Sequence, residues 1–168
     1  INPQESISIL EKGGSLEVDA ITSVPANFLL RSNETILHQL PNSTNFSYTI
    51  KDINDNTSYQ LSSIDIESSS EISKEFHVVI KPDILIESIP YSDLKDGLNY
   101  LDGSVVFILN APGKQFVNLV GSFNDWEVSD EYLMRYDDDL DRFWIEVSGL
   151  DTKSYHSYQY LVDGYIYI

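Results

Sequence analysis

A chain of 168 residues with a formal net charge of −17 and no cysteine excludes several classes at once. It lacks the clustered Lys and Arg that nucleic acid or an anionic membrane surface requires, and it cannot form disulfides, thiolate zinc sites or a cysteine nucleophile. With 42% hydrophobic residues it can bury a core, its length suits two domains of roughly 80 residues, and no stretch is apolar for long enough to span a bilayer.

Period-2 alternation dominates the whole chain, and no long helical pattern competes with it. In the first half it predicts strands near residues 6–10, 15–22, 27–31, 34–40, 45–50, 58–67 and 73–80. Turn signals separate them: Gly13-Gly14, Ser32-Asn33, Pro41-Asn42 and the polar run from Asp52 to Asn56. About seven short strands with regular turns read as an immunoglobulin-like sandwich. Tyr59 stands where such a fold places a tyrosine corner.

The segment 81–97 carries Pro82, Pro90 and Asp96-Gly97, and the domain junction is expected within it. The division is 1–82 for a spacer or interaction module and 83–168 for a second sandwich. Apolar Ile84-Leu85-Ile86 points to a stiff connection that opens the second domain with a strand near residues 84–88. Further strands are expected near 104–110, 116–120, 143–147, 155–162 and 165–168. Alternation places Phe107 and Leu109 on one core face and Val117 and Leu119 on the facing one. Phe143, Ile145 and Val147 share a core face, as do Tyr158, Tyr160 and Val162. The same alternation turns Trp144 away from that core, so Trp144 is expected to be an interdomain contact. The overall expectation is all-β, two tandem immunoglobulin-like β-sandwich domains.

No catalytic apparatus is legible. His38, His77 and His156 fall within predicted strands with no nucleophile motif beside them. Asp137-Asp138-Asp139 with Asp141, and Asp52 with Asn54, Asp55 and Asn56, offer spaced oxygens of the kind calcium uses. They read more simply as acidic turns, because Asp and Asn serve turns. No metal or other cofactor is expected.

Four elements occur in order over roughly residues 96–168: Ala111-Pro112, then Gly121-Ser122-Phe123-Asn124-Asp125-Trp126, then Gly149-Leu150, then Tyr158-Gln159-Tyr160-Leu161-Val162-Asp163-Gly164. This series resembles the family 48 carbohydrate-binding module, the early-set immunoglobulin-like domain that precedes the barrel in many α-amylase-superfamily enzymes (glycoside hydrolase family 13). The resemblance implies a non-catalytic N-terminal segment of an α-glucan-active hydrolase. Its partners would be starch, glycogen or maltooligosaccharide and a C-terminal catalytic barrel of the same polypeptide, the module being truncated at Ile168. It also implies that Trp126 stacks on a glucose ring, a contact aromatic platforms suit. Gln159 occupies the outward position where glycogen binders carry a Lys, and it can still donate to a hydroxyl. The binders' second stacking Trp is absent, and Tyr165 and Tyr167 stand in its neighbourhood. The expected location is secreted, periplasmic or at a bacterial cell surface. The competing readings are an autonomous α-glucan-binding module and an immunoglobulin-like adhesion protein, since fold does not fix function.

Overall fold

The computed structural model describes residues 1–151 and 153–168. The chain is all-β and divides into two compact units, Ile1–Lys81 and Pro82–Ile168.

The first unit contains β1 (Ile7–Leu10), β2 (Gly14–Ser32), β3 (Thr35–Ile53), β4 (Thr57–Asp65) and β5 (Glu71–Ile80). They form one sheet in the order β1-β5-β4-β2-β3, with β1 parallel to β5 and the other neighbours antiparallel. Four of the seven expected short strands therefore merge into two of 19 residues each. The breaks expected at Thr22 to Ala26 and at Pro41-Asn42 are bulges, not turns. Register shifts occur between Ile21 and Ala26 and between Ala26 and Phe28, and Asn42 sits opposite at φ 49°. Asn27 Oδ1 accepts the Asn42 N–H at 3.0 Å and so fixes the irregular pairing. Pro25 and Pro41 are tolerated there because a bulge leaves ladder positions unpaired.

The bulges let one sheet supply both layers of a sandwich. The first half of β2 pairs with the second half of β3, through Leu16 with Ile50 and Ala20 with Phe46, and bridges Asn2 through Asp19. The second half of β2 pairs with both the start of β3 and β4. Buried Leu16, Val18 and Phe46 from one half share a single core with Phe28, Leu30, Leu61, Phe76 and Val78 from the other. Tyr59 is buried in that core, its ring 5.6 Å from Phe76.

The second unit contains β6 (Gly97–Tyr100), β7 (Ser104–Leu109), β8 (Val117–Gly121), a 3₁₀ turn (Asp130–Tyr132), β9 (Arg135–Asp137), β10 (Arg142–Ser148), β11 (Tyr158–Val162) and β12 (Ile166–Tyr167). Two separate sheets result, β6-β7-β10-β9 and β12-β11-β8. The main core lies between them: Val105, Phe107, Phe143, Ile145 and Val147 face Val117, Leu119, Tyr160 and Val162. The alternation expected for these strands is the one observed. The Tyr160 hydroxyl has no hydrogen-bond partner among the described residues, and burial pushes its phenol well above the ordinary value.

The back of the first sheet is also apolar. Val106, Ile108 and Trp144 form a second buried cluster, covered by Ile89, Leu94 and Leu101. The two units divide between Lys81 and Pro82, and the segment 82–96, expected to open the second with a strand near 84–88, instead lies over this sheet as an arm. Among the described residues its contact with the ladder is a parallel bridge from Ile86 to Tyr136. Backbone bonds of 3.0 Å from Tyr136 N–H to Leu85 O and from Glu87 N–H to Tyr136 O fix it. Ile89 N–H adds a 2.8 Å bond to Asp137 Oδ2.

Trp144 must be reassigned accordingly. Its side chain does turn away from Phe143 and Ile145, but it is 3% exposed and closed over by the arm of its own unit. Its indole N–H donates to Glu87 O at 2.7 Å, and the Arg135 guanidinium lies 4.9 Å from its ring centre. An interdomain role is not needed to explain its burial. Alternation fixed the face but could not show what covers it.

Candidate functional site

The site the sequence singles out begins where β8 ends. Gly121 is required by space: a Cβ there would stand 2.5 Å from Ser157 O and 2.6 Å from Phe123 Cε1. The chain then turns sharply. Asn124 organises the turn with three side-chain bonds, accepting Gly121 N–H at 2.8 Å and donating to Leu119 O at 3.1 Å and Glu127 O at 3.2 Å. Trp126 N–H closes the loop onto Gly121 O at 2.9 Å. Asp125 and Trp126 are both left-handed, at φ 54° and 62°. A non-glycine residue in that region costs about 1–2 kcal/mol, so the Asn124 bonds hold a conformation the local sequence disfavours.

The two aromatic residues of this turn go different ways. Phe123 packs into the unit, 5.5 Å from Tyr132 and 6.2 Å from Phe107. Trp126 remains 46% exposed, with exposed Asp125 and Glu127 on either side. A flat apolar ring held on a fixed turn is an arrangement suited to the C–H face of a ring-shaped ligand.

Gln159 is exposed and pairs with Val120, one step from the Tyr158–Gly121 pair at the turn. Tyr167 pairs with Leu161, which places it on the same face of the sheet as Gln159. Tyr165 is two residues before Tyr167 and follows the Asp163-Gly164 turn. It lies at the end of β11 away from Trp126: its neighbour Ile166 pairs with Val162, four residues and so about 13 Å along the strand from the Tyr158–Gly121 pair. Tyr165 and Tyr167 are 43% and 59% exposed, whereas Val120 and Leu161 between them and the turn are buried. Gln159 and Tyr167 thus share one face of the β12-β11-β8 sheet, Gln159 opposite Val120 beside the turn and Tyr167 one strand further out on β12, with Tyr165 beyond it.

Two carboxylates bear buried roles that the motifs containing them did not indicate. Asp163 is buried, and its Oδ1 accepts Gln115 N–H at 2.7 Å and Phe116 N–H at 3.3 Å, with Lys114 Nζ 3.6 Å from Oδ2. It ties the β11–β12 turn to the entrance of β8. Asp137 is likewise buried, with Oδ2 on Ile89 N–H and Oδ1 on Leu140 N–H at 3.0 Å. The carboxylates of Asp137, Asp138 and Asp139 lie within 4.8 Å of one another. The oxygens of Asp137 are already engaged by backbone, as suits the hairpin turn between β9 and β10. In the first unit His77 Nδ1 is 2.8 Å from Ser58 Oγ across β4 and β5, and His38 stacks on Tyr48 at 4.6 Å.

No family model matches the sequence, and no curated protein matches it. Among solved structures, the chain aligns with pullulanase from Anoxybacillus sp. LM18-11 at 14% identity, covering 95% of this chain and 24% of that one, with a TM-score of 0.34. It aligns also with pullulanase from Anoxybacillus sp. LM18-11 complexed with maltotriose at 15% identity, covering 98% and 25%, with a TM-score of 0.34. The chain thus spans about a quarter of the length of these structures. At such identities and TM-scores the likeness carries no functional argument.

Proposed function

We propose that this chain is the non-catalytic N-terminal segment of an α-glucan-active hydrolase of the α-amylase superfamily. In this reading it supports a catalytic barrel, and Trp126 is its contact with starch, glycogen or maltooligosaccharide. The second unit carries the glucan contact and the first is a spacer or interaction module. The observation behind the reading is Trp126 itself. A half-exposed indole is held at positive φ by a turn that Asn124 braces with three hydrogen bonds. The ordered motifs of residues 96–168 supply the identity of the sugar. Gln159 and Tyr167 would add a donor and a weaker platform on the adjoining sheet face.

Titration of the chain with β-cyclodextrin and maltoheptaose, followed by Trp fluorescence and calorimetry, tests this. Because Trp144 is buried, the fluorescence change should come from Trp126. Saturable binding between about micromolar and millimolar, lost in Trp126→Ala with unfolding unchanged, is the expected result. Binding indifferent to Trp126→Ala would remove Trp126 from the glucan contact.

A further inference from the structure

A cavity of about 470 Å³ opens in the second unit between the β6–β7 edge and the approach to β11, and Trp126 is not among its lining residues. That volume is within the size range of small-molecule sites. Its floor is aromatic: Phe107 and Tyr158 meet edge to face at 5.0 Å, and Phe123 lies 6.2 Å from Phe107. Its rim carries Tyr100, 79% exposed, and Tyr155, fully exposed. Two large aromatic side chains left in solvent beside an aromatic floor are unusual for a surface that serves only the fold.

The rim offers acceptors at Asp151 and His156. His156 Nε2 lies 3.0 Å from Asp151 O. A carbonyl can only accept, so Nε2 donates that bond, and in the Nε2–H tautomer Nδ1 is left as an acceptor. Asp151 is held as a carboxylate by Ser154 Oγ at 2.6 Å and Lys153 N–H at 3.0 Å, which draw its pKa below the ordinary value. A carboxylate with these two donors retains free lone pairs. Among the described residues no Lys or Arg lines the cavity, and with a net charge of −17 an anionic ligand would be repelled. The complementary ligand is neutral, brings its own hydroxyl donors, and has apolar C–H faces for the tyrosines.

We propose that this cavity is a second carbohydrate site, taking the end of a neutral oligosaccharide between Tyr100 and Tyr155, with hydroxyls donated to Asp151 and His156. The choice of an α-glucan as the sugar rests on the function proposed above; the cavity's chemistry does not. The site shares the Gly121 turn with Trp126, because Phe123 of that turn forms part of its wall. Ser122 N–H to Ser157 O at 2.9 Å, and Ser157 N–H to Ser122 Oγ at 3.1 Å, join the turn to the segment bearing His156.

The test is a titration of the 168-residue chain with maltotriose, read by backbone amide shifts, in the wild type, Trp126→Ala and Tyr100→Ala/Tyr155→Ala. Both tyrosines are exposed, so the double variant should fold. Saturable shifts at Leu98 to Ser104 and Ser154 to Tyr158, kept in Trp126→Ala and weakened about tenfold or more in the tyrosine variant, are expected. Shifts confined to Gly121 to Glu127 and Gln159 would overturn the cavity site while leaving the Trp126 contact standing. Shifts at the cavity with a silent Trp126 turn would uphold the cavity and remove the Trp126 contact. No shift anywhere at millimolar sugar would overturn both.

Discussion

The two units reach the same class by different means. The first carries β2 and β3 through bulges, so one sheet supplies both walls around Phe28, Leu30, Leu61 and Phe76. The second builds its walls from two sheets that share no strand, then covers the back of one with the arm. In the first, backbone pairing runs continuously around the core. In the second, a backbone bridge from Asn118 to Leu133 links β8 to the approach to β9, and single side chains brace the rest: Asp163 holds the entrance of β8, Asp137 holds the arm, and Trp144 fills the space beneath it. The lesson is that similar burial can be distributed over a ladder or concentrated in a few residues, and these two should respond differently to mutation.

The sharpest way to break the comparison is Trp144→Ala. Truncating a buried Trp costs about 3–5 kcal/mol, and here it would empty the space under the arm. In urea, with separate probes for each unit, the second unit should lose that amount and the first should not change. Equal losses in both would contradict the division. A smaller loss is expected from Asp137→Ala, which strands the N–H groups of Ile89 and Leu140. An unsatisfied buried donor costs about 1–3 kcal/mol, and amide exchange at Ile89 should rise before that of β7. If Ile89 stays protected, Asp137 does not hold the arm.

The smallest effect compares one exposed turn in each unit. Asp65 accepts the backbone N–H groups of Ser68 and Glu67, and Asp151 accepts Ser154 Oγ and Lys153 N–H; both carboxyls are thereby held below the ordinary range. A depressed folded value means the contribution is present above the unfolded pKa, near 4, and is lost as pH falls through the folded one. Carboxylate titration by NMR should place both below free aspartate. A value at or above it for either residue would mean that its turn is not formed in solution.

What the sequence could show depended on distance along the chain. Alternation is local, so the core faces of Phe143, Ile145 and Val147 and of Tyr158, Tyr160 and Val162 were legible residue by residue. The bulges were not, because Pro25 and Pro41-Asn42 give the same local signal in a turn and in a bulge; only the partner Asn27, 15 residues from Asn42, distinguishes them. The roles of Asp137 and Asp163 rest on bonds between residues 48 apart, which no local pattern encodes. β9 is three residues long and ends in the acidic run, so it read as part of a turn. At the candidate site, the Gly-Ser-Phe-Asn-Asp-Trp series revealed the turn and its exposed indole. It did not reveal the cavity, whose walls come from β6, β7 and the approach to β11.

The parallel pairing of β1 with β5 has a consequence for how the first unit assembles. Ile7 lies beside His77 and Leu10 beside Ile80, while the antiparallel neighbours β2 and β3 meet through the short turn at Asn33. Closing a loop of that span carries more entropy than closing a hairpin, and non-local parallel contacts form slowly. During synthesis β1 emerges before the other strands of this unit, yet among the described residues its strand partner is the unit's final one. The first strand made is thus the last that can be placed.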